Sequence, residues 1–242
     1  MPYAPLLRSP DQDAVLDRIL ATARRGDLAV LDLDGCLFDN RWRQVRILHE
    51  LAGHRDWTAL AGVEVEHFED WSLSRTLRNA GVPAEQVEAR RAEVRAFWEA
   101  RFFDGSYTLH DRPMPGAVPL VRALHRAGME IAYLTGRDVS MAEGSALALA
   151  RAGFPPLPEA HLLCKPDAGM TDEAWKMAAL PRLRELGEPA LFLDNEPCNV
   201  NGFRREFPEA LVVFVATDHS FRPDLPDPAL PRIRGFLRTA GG

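Results

Sequence analysis

The sequence predicts a doubly wound α/β fold, in which a parallel sheet of five strands is covered by helices on both faces. Short apolar runs alternate along the chain with segments of helical periodicity. Continuous apolar strands of this kind are typical of a parallel sheet that is buried on both sides. The 242 residues suffice for one Rossmann-like core with a smaller insert. The five predicted strands cover residues 28–33, 130–134, 161–164, 190–193 and 211–216.

Helix start and stop signals lie around these strands. Ser9 and Pro10 suit the N-cap and the first position of a helix that precedes the first strand. The segment SMAE at 140–143 has the pattern of a capping box and predicts another helix start. Asp227 and Pro228, followed by apolar residues at helical spacing, predict a last helix near the C-terminus. Three glycines are expected to end helices, namely Gly26, Gly128 and Gly153.

One long stretch, of about residues 40–111, shows no convincing strand pattern. It contains four of the five tryptophans, and apolar residues recur at helical spacing in EQVEARRAEVRAFWEAR. We therefore predict a mostly helical cap insert over 40–111 and a core domain formed by residues 1–39 and 112–242. The alternative is that this stretch merely extends the core.

Composition and charge disfavour several classes of function. Hydrophobic residues make up 46% and charged residues 26% of the chain, as in soluble globular proteins. The net charge of -6, without any Lys/Arg run, disfavours nucleic-acid binding. No apolar run reaches the ~18 residues of a membrane span, and the first residues lack a secretory pattern, so we expect a cytoplasmic location. Three cysteines without a CxxC pair favour neither a disulfide framework nor structural zinc: Cys36, Cys164 and Cys198.

An acidic pair, Asp32 and Asp34, follows the first predicted strand directly. In open parallel sheets, ligands bind beyond the carboxyl ends of the strands. Gly35 follows and allows a tight turn with a close approach of the backbone to a ligand. Two ionised carboxylates repel each other unless a cation lies between them, which favours a hard metal such as Mg²⁺. The alternative is a polar strand end and turn without a ligand.

Other predicted strand ends carry complementary groups. Thr135 and Gly136 offer a hydroxyl and a backbone amide suited to phosphate oxygens, and Arg137 adds a positive charge. Asp194 ends the fourth predicted strand and is a further carboxylate for a cation. Lys176 supplies a positive charge that would offset the charge of a transferring phosphoryl group. The combination predicts a magnesium and phosphate site at one edge of the sheet.

With these residues in place, the sequence resembles the haloacid dehalogenase-like (HAD) superfamily in its phosphatase branch. DLDGCLFD is similar to the first motif of that superfamily, AYLTGR to the second, a lysine to the third and FLDNE to the fourth. The resemblance covers about residues 28–217, and the helical insert resembles a C1-type cap. It implies a magnesium-dependent hydrolase of phosphate monoesters that forms a phospho-aspartate intermediate.

The resemblance also implies a role for each matching residue. Asp32 would be the nucleophile that attacks phosphorus. Asp34 would protonate the leaving oxygen and then activate water, and its backbone carbonyl would bind Mg²⁺ together with the carboxylates of Asp32 and Asp194. An acid at position 34 indicates phosphate chemistry, since a halide leaving group needs no proton. The phosphoryl oxygens would be held by Thr135 and Gly136.

Some assignments stay open at this point. Lys165 follows the third predicted strand, whereas Lys176 lies in TDEAWK, which resembles the D-x-x-x-K pattern of polynucleotide-kinase-type phosphatases. We favour Lys176 as the catalytic lysine and keep Lys165 as a candidate for phosphate binding. Asn195 and Glu196 would either hold a metal-bound water or start a helix. Cys36 replaces the threonine that is most common after the glycine, and a catalytic role for it is not expected.

The sequence thus favours a small organic phosphate ester as the substrate and a soluble enzyme without nucleic-acid or membrane partners. Three alternatives use the same residues: a phosphomutase, a nucleic-acid end-processing phosphatase, and a regulatory protein that binds phosphate or metal without catalysis. The feature that favours the nucleic-acid alternative is a basic group at the start of the insert, formed by Arg41, Arg43 and Arg46.

Overall fold

The central feature of the fold is one six-stranded sheet in which every neighbouring pair of strands is parallel. The computed structural model describes residues 9–219 and 223–238. The predicted doubly wound α/β class is confirmed, although the sheet has six strands and not five. Numbered along the chain, its strands are β1 (Asp27–Leu31), β4 (Glu130–Asp138), β5 (His161–Lys165), β6 (Glu188–Asp194), β7 (Leu211–Val215) and β8 (Arg232–Ile233), in the spatial order β5-β4-β1-β6-β7-β8.

Helices cover both faces of this sheet because successive residues of a strand point to opposite sides. In β1, Ala29 and Leu31 belong to one apolar core, whereas Leu28 and Val30 belong to the other. No helix in the described part of the chain is long and apolar enough to cross a membrane. The first core is closed by α1 (Gln12–Thr22), α6 (Ala117–Arg126) and α7 (Ala142–Ala152), and the second by α8 (Asp172–Ala178), α9 (Leu180–Leu186) and α10 (Pro197–Glu206).

The sixth strand, β8, forms where the sequence predicts a last helix. The N–H of Phe214 donates to the carbonyl of Pro231 at 2.9 Å, and the N–H of Ala216 donates to that of Ile233 at 2.7 Å. Each proline removes a backbone donor and favours an extended conformation in the residue before it. The apolar residues whose spacing predicted a helix therefore belong to a segment that forms a short strand. The prolines concerned are Pro226, Pro228 and Pro231.

The first helix begins two residues later than predicted, at Gln12 and not at Pro10. Long-range contacts explain the difference. The hydroxyl of Ser9 donates to the carbonyl of Arg232 at 2.8 Å, and the side-chain amide of Gln12 donates to the carbonyl of Leu237 at 2.8 Å. The residues around the predicted cap thus fasten the C-terminal segment to the first helix.

The insert between β1 and β4 is mostly helical, as predicted. A short antiparallel pair, β2 (Phe38–Asp39) and β3 (Arg112–Pro113), lies at its two ends. The insert has an apolar core of its own, in which Leu48, Trp57 and Val94 are buried. That residues 40–111 form a separate cap domain, with a core of 1–39 and 112–242, stays a prediction. The helices of the insert are α2 (Arg41–Arg55), α3 (Leu73–Asn79), α4 (Ala84–Ala89) and α5 (Arg91–Phe102).

The insert and the core make very close backbone contact at Gly144 of α7. A Cβ atom at this position would overlap the carbonyl oxygen of Gly105, in the 3-10 turn that ends the insert. We expect Gly144→Ala to lower the free energy of unfolding by about 1–3 kcal/mol, because helix and turn would have to separate. Urea denaturation measures this change.

Gly53→Ala is a matched control for that substitution. Gly53 also lies inside a helix, α2, but a Cβ there would meet no atom within 4 Å. We expect the control to be neutral or to stabilise by about 0.5–1 kcal/mol, since alanine has the higher helix propensity. Equal stabilities of the two variants would contradict the close packing of α7 on the insert.

Candidate active site

Three acidic or hydroxyl side chains meet at the carboxyl ends of adjacent strands. Asp32 follows β1, Thr135 lies towards the end of β4, and Asp194 is the last residue of β6. Because β1 lies between β4 and β6, these ends are neighbours. The N–H of Asp32 donates to the carbonyl of Leu193 at 3.0 Å, which joins the ends of β1 and β6.

The chain turns sharply just after the acidic pair. Gly35 has a φ of +76°, a left-handed conformation that favours glycine, and its N–H donates to the carbonyl of Phe38 at 2.9 Å. A Cβ at Gly35 would also overlap the side-chain amide of Asn195. This turn keeps the backbone of Asp34 and Gly35 close to the strand ends. Burial raises the pKa of the neighbouring Cys36 thiol well above its usual range, so the thiol stays protonated.

Lys176 of α8 lies between two of the carboxylates. Its Nζ donates to Oδ1 of Asp32 at 2.6 Å and to Oδ2 of Asp194 at 2.7 Å. Burial disfavours the ammonium form, but the carboxylates of Asp194 and Asp32 outweigh burial and raise the pKa of Lys176. The side chain therefore carries a full positive charge beside the candidate nucleophile.

The two candidate lysines differ in what they contact. Lys165 donates to Oδ1 of Asp172 at 2.8 Å and does not line the cavity described below. Lys176, by contrast, is only 2% exposed and touches Asp32 directly. The geometry favours Lys176 for the role beside the nucleophile, and the phosphate-binding role considered for Lys165 stays a prediction.

Asp194 is oriented by the start of α10. Its Oδ1 accepts a hydrogen bond from the N–H of Glu196 at 2.8 Å, and the side-chain amide of Asn199 donates to both carboxylate oxygens at 3.2 Å. Negative charge is favoured at this end of a helix, where the backbone N–H groups are free to donate. Glu196 is thus the N-cap residue of α10, which agrees with the helix-start alternative for that position.

Asp34 is enclosed by two guanidinium groups. Arg137 binds it in a bidentate manner, with Nε at 2.7 Å from Oδ2 and Nη2 at 2.8 Å from Oδ1. Arg43 from α2 adds a contact of 2.6 Å to Oδ1, and Asn40 donates to the same atom at 3.2 Å. Burial alone would raise the pKa of Asp34, but Arg137 and Arg43 outweigh it and hold that pKa well below its usual range.

Asp111 completes a group of four charges, three of them buried and Asp34 partly exposed, which we call the charge quartet: Asp34, Arg43, Asp111 and Arg137. Oδ2 of Asp111 accepts from Nη2 of Arg137 at 2.6 Å, and Oδ1 lies 3.0 Å from Nε of Arg43 without hydrogen-bond alignment. Burial raises the pKa of Asp111 to about 6 although Arg43 and Arg137 oppose it. The quartet joins the insert, through Arg43 and Asp111, to the carboxyl ends of the adjacent strands β1 and β4, through Asp34 and Arg137.

The structure bears on two predictions, namely phosphate binding by Arg137 and nucleic-acid binding at the start of the insert. Arg137, predicted to bind phosphate, directs its guanidinium to Asp34, Asp111 and the hydroxyl of Ser145. Its role towards phosphate is untested and stays a prediction. Arg43 is fully buried and Arg41 is only 2% exposed, so of the three arginines at the start of the insert only Arg46 lies on the surface, where it pairs with Glu50 at 2.8 Å. Arg41 instead pairs with Asp39 at 2.8 Å.

A cavity of about 410 Å³ lies over the strand ends. Its base includes Asp32, Asp34, Thr135, Gly136, Arg137 and Lys176, so six of the predicted site residues share one space. Oγ1 of Thr135 accepts from the N–H of Arg137 at 3.2 Å, which leaves its own proton available for donation. The insert contributes the opposite wall, formed by Trp71, Arg95, Trp98, Phe102 and Phe103.

The donor set at the base fits a hard divalent cation. Among the described residues no group of three or more His, Cys, Asp or Glu side chains is arranged around a common point. The available donors are the carboxylates of Asp32 and Asp194, the backbone carbonyl of Asp34, and Oδ1 of Asn195, which is buried and has no hydrogen-bond partner in the described chain. Burial raises the pKa of Asp32 to about 8 despite the opposing charge of Lys176, so this carboxylate can accommodate more positive charge. Oxygen ligands are those that Mg²⁺ prefers.

Comparison with known proteins identifies the family. The family model described as haloacid dehalogenase-like hydrolase matches residues 27–178, well over half of the chain. The chain belongs to that family. It is therefore a hydrolase by family, and the matched span contains Asp32, Asp34, Thr135 and Lys176. No curated protein sequence matches the chain.

Several solved structures are similar to the chain at low sequence identity, and the first of those reported below supports the fold. Protein Tyrosine Kinase A of Mycobacterium tuberculosis is 19% identical, with a TM-score of 0.52 over 86% of this chain and 93% of that one. A haloacid dehalogenase-like family hydrolase from Streptococcus pneumoniae is 16% identical, with a TM-score of 0.44 over 78% and 83%. The class C acid phosphatase of Bacillus anthracis, with tungstate bound, is 14% identical, with a TM-score of 0.45 over 85% and 78%.

Sequence patterns did not reveal two members of the quartet. Arg43 belongs to an arginine-rich helix start that resembles a solvated face, and Asp111 precedes a turn 68 positions further along the chain. Both residues reach the site only because the folded insert packs against the strand ends. The sequence carries one hint of this contact. Two basic residues, Arg41 and Arg43, lie at one end of the insert, and an acidic residue, Asp111, lies at the other.

Proposed function

We propose that the protein is a magnesium-dependent phosphomonoester hydrolase that acts through a phospho-aspartate on Asp32. The observation that carries this proposal is the position of Asp32. Its carboxylate lies at the base of a cavity, 2.6 Å from a buried lysine and among groups that can bind phosphoryl oxygens. Family membership as a hydrolase supports the reaction type.

In the proposed first half-reaction, a carboxylate oxygen of Asp32 attacks phosphorus. The ester P–O bond breaks, the alcohol leaves, and an aspartyl phosphate forms. The hydroxyl of Thr135 and the N–H of Gly136 would donate to the phosphoryl oxygens, and Lys176 would offset their charge. In the second half-reaction, water attacks the aspartyl phosphate, inorganic phosphate leaves, and the free carboxylate returns.

The oxygen donors described above would hold Mg²⁺: the carboxylates of Asp32 and Asp194, the carbonyl of Asp34, and Asn195 directly or through water. When bound, the ion supplies a Lewis acid that neutralises charge on the phosphoryl group. Lys176, which contacts both carboxylates in the structure, would then share them with the ion. Its ammonium remains free to turn one of its three donors towards phosphate.

Asp34 is the proposed acid for the leaving oxygen and the base for the attacking water. Both of its carboxylate oxygens are occupied by guanidinium groups, and this lowers its affinity for a proton. One of those contacts therefore has to lengthen while Asp34 carries the proton. Arg43 is the contact best placed to do so, since it lies on α2 of the insert and not on the core.

A small organic phosphate ester is the proposed substrate class. The cavity of about 410 Å³ is bounded by the insert on the side facing the strand ends. Its size suits a small molecule, since ligand pockets typically measure about 300–1,000 Å³. Of the three arginines that favoured nucleic acid, Arg41 and Arg43 are buried and the exposed Arg46 pairs with Glu50, which weakens that alternative.

Removal and return of the metal test the proposal. We expect phosphate release from a panel of small phosphate esters to fall below about 1% of its initial rate after exhaustive EDTA treatment, because the transferring group loses its divalent counter-charge. Added Mg²⁺ should restore the rate, whereas Zn²⁺, which prefers nitrogen and sulfur ligands, should restore much less. Full activity after chelation would contradict the proposed dependence on a metal. No phosphate release from any ester in the presence of Mg²⁺ would contradict the proposed hydrolysis.

A further inference from the structure

Four aromatic side chains of the insert form one wall of the active-site cavity, which we call the aromatic wall: Trp71, Trp98, Phe102 and Phe103. They face a base that consists of carboxylates, Lys176 and the phosphate-binding groups proposed above. A phosphomonoester held at that base would direct its alcohol part towards this wall.

The rings of the wall are packed as one unit. Trp98 and Phe102 are stacked, with centroids 4.2 Å apart and an interplanar angle of 16°. Trp71 meets Phe102 edge-on at 5.7 Å, and Phe103 meets it edge-on at 5.3 Å. The guanidinium of Arg43, which binds Asp34, also lies 4.0 Å from the centroid of Phe102. The wall is thus fixed to the charge quartet beside the reaction centre.

Two features distinguish this wall from ordinary packing. Phe103 leaves 53% of its surface exposed, although it lines the cavity with its apolar neighbours. The indole Nε1 atoms of Trp71 and Trp98 are buried and have no acceptor in the described chain. Buried tryptophans usually find a partner for this N–H, and an aromatic cluster that served packing alone would be expected to do so.

A guanidinium that pairs with Glu99 at 2.5 Å lies at the same wall. The guanidinium of Arg95 is 5.7 Å from the centroid of Trp98 and also lines the cavity. One exposed ring, that of Phe103, and a guanidinium at the same cavity suit a planar π-system, which gains from offset or edge-to-face ring contacts and from contact with the cation. A saturated chain or a sugar would bury apolar area or form hydrogen bonds but would lose both of these contributions.

We propose that the aromatic wall binds a planar aromatic ring in the alcohol part of the substrate, so that the enzyme prefers phosphate monoesters of ring-bearing alcohols. This inference rests on the proposed function, because it places the phosphate at Asp32. It deepens that function by naming the chemical class of the leaving group, and it assigns specificity to the insert.

A matched pair of substrates tests the inference. 2-Phenylethyl phosphate and 2-cyclohexylethyl phosphate have the same carbon skeleton and closely similar leaving alcohols, and they differ in the planarity and π-electrons of the ring. We expect kcat/KM of the wild-type protein with Mg²⁺ to be about tenfold higher for the phenyl ester, carried mainly by a lower KM. Nucleoside monophosphates, whose bases are planar, should resemble the phenyl ester.

Phe103→Ala is the variant of choice because its exposed ring can be removed without opening the core. We expect it to lower kcat/KM for the phenyl ester about fivefold, through KM, and to change the value for the cyclohexyl ester less than twofold. Leu147→Ala is the matched control, since Leu147 is also exposed, at 43%, lies on α7 and does not line the cavity. It should leave both values unchanged.

The outcomes separate this inference from the proposed function. Equal hydrolysis of the two esters by the wild type, or equal losses in Phe103→Ala, would overturn the aromatic wall as a binding site and leave the phosphatase standing. If neither of these esters nor any other ester of the panel is hydrolysed in the presence of Mg²⁺, the proposed function fails. Calorimetric titration of the protein with each ester then tests ring binding by the aromatic wall independently of catalysis. Tighter binding of the phenyl ester supports it, and equal binding overturns it.

Discussion

Asp32→Asn is expected to reduce phosphate release by on the order of 10⁴-fold or more, because the neutral amide cannot act as the nucleophile that forms the acyl phosphate. The substitution keeps the shape of the side chain. It also keeps an oxygen that can accept the hydrogen bond of Lys176, which lies 2.6 Å from Asp32. The fold should therefore be preserved, and the loss should appear in kcat.

The matched control uses the same substitution at the other end of the same strand. Asp27 begins β1, whereas Asp32 follows its carboxyl end, so Asp27→Asn changes the charge equally without touching the site. Phosphate release measures the effect, as does the mass of acid-quenched protein, which should show a phosphoryl adduct in the wild type and in Asp27→Asn but not in Asp32→Asn. Activity of Asp32→Asn within tenfold of the wild type would contradict the assignment of Asp32 as the nucleophile.

The convergence of the strand ends was predictable from sequence. Apolar runs alternating with helices imply a parallel sheet, and in such a sheet the carboxyl ends of neighbouring strands lie together. The structure places β1 between β4 and β6, which brings Asp32, Thr135 and Asp194 to one edge. The acids and the hydroxyl could be proposed as a group because each directly follows or ends an apolar run.

The environment of Asp34 was not predictable in this way. Its partners Arg43 and Arg137 lie 9 and 103 positions away in the chain, and Arg43 reaches it only because α2 packs over the strand end. In the sequence, arginines at the start of a helix suggest exposure, whereas Arg43 is fully buried. The proton affinity of Asp34 depends on these contacts, and short-range patterns carry no information about them.

The C-terminal segment shows a different limit. Leu230 and Ile233 have a spacing that suits a helix face, and both are buried, as such a face would be. The spacing alone does not specify which structure buries them. Pairing with β7 and the prolines of the segment favour a strand. Tertiary contacts thus override a weak local preference for a helix.

The choice between the two candidate lysines leads to the second large expected effect. We expect Lys176→Met to lower kcat by about 10²–10³-fold, because the phosphoryl group loses the positive charge that lies beside Asp32. Lys165→Met, the matched control, should change kcat less than about threefold. Lys165 pairs with Asp172, whose side chain is 49% exposed, and this contact does not reach the strand-end carboxylates.

Stability has to be measured beside activity, since Lys176 bridges two buried acids. Without its ammonium, Asp32 and Asp194 face each other uncompensated, and breaking a buried ion pair in this way costs about 3–5 kcal/mol. Lys176→Arg keeps the charge and should recover most of the unfolding free energy. It should still lose activity, because the planar guanidinium cannot place a single donor between the two oxygens as the ammonium does.

Added Mg²⁺ separates the structural from the catalytic contribution of Lys176. A divalent ion between the carboxylates would replace much of the missing positive charge, so it should raise the urea midpoint of Lys176→Met more than that of the wild type. The rate should stay low, because the ion cannot also act from the position of the ammonium. A greater loss of kcat in Lys165→Met than in Lys176→Met would reverse the assignment, and it would place the catalytic lysine on β5 and not on α8.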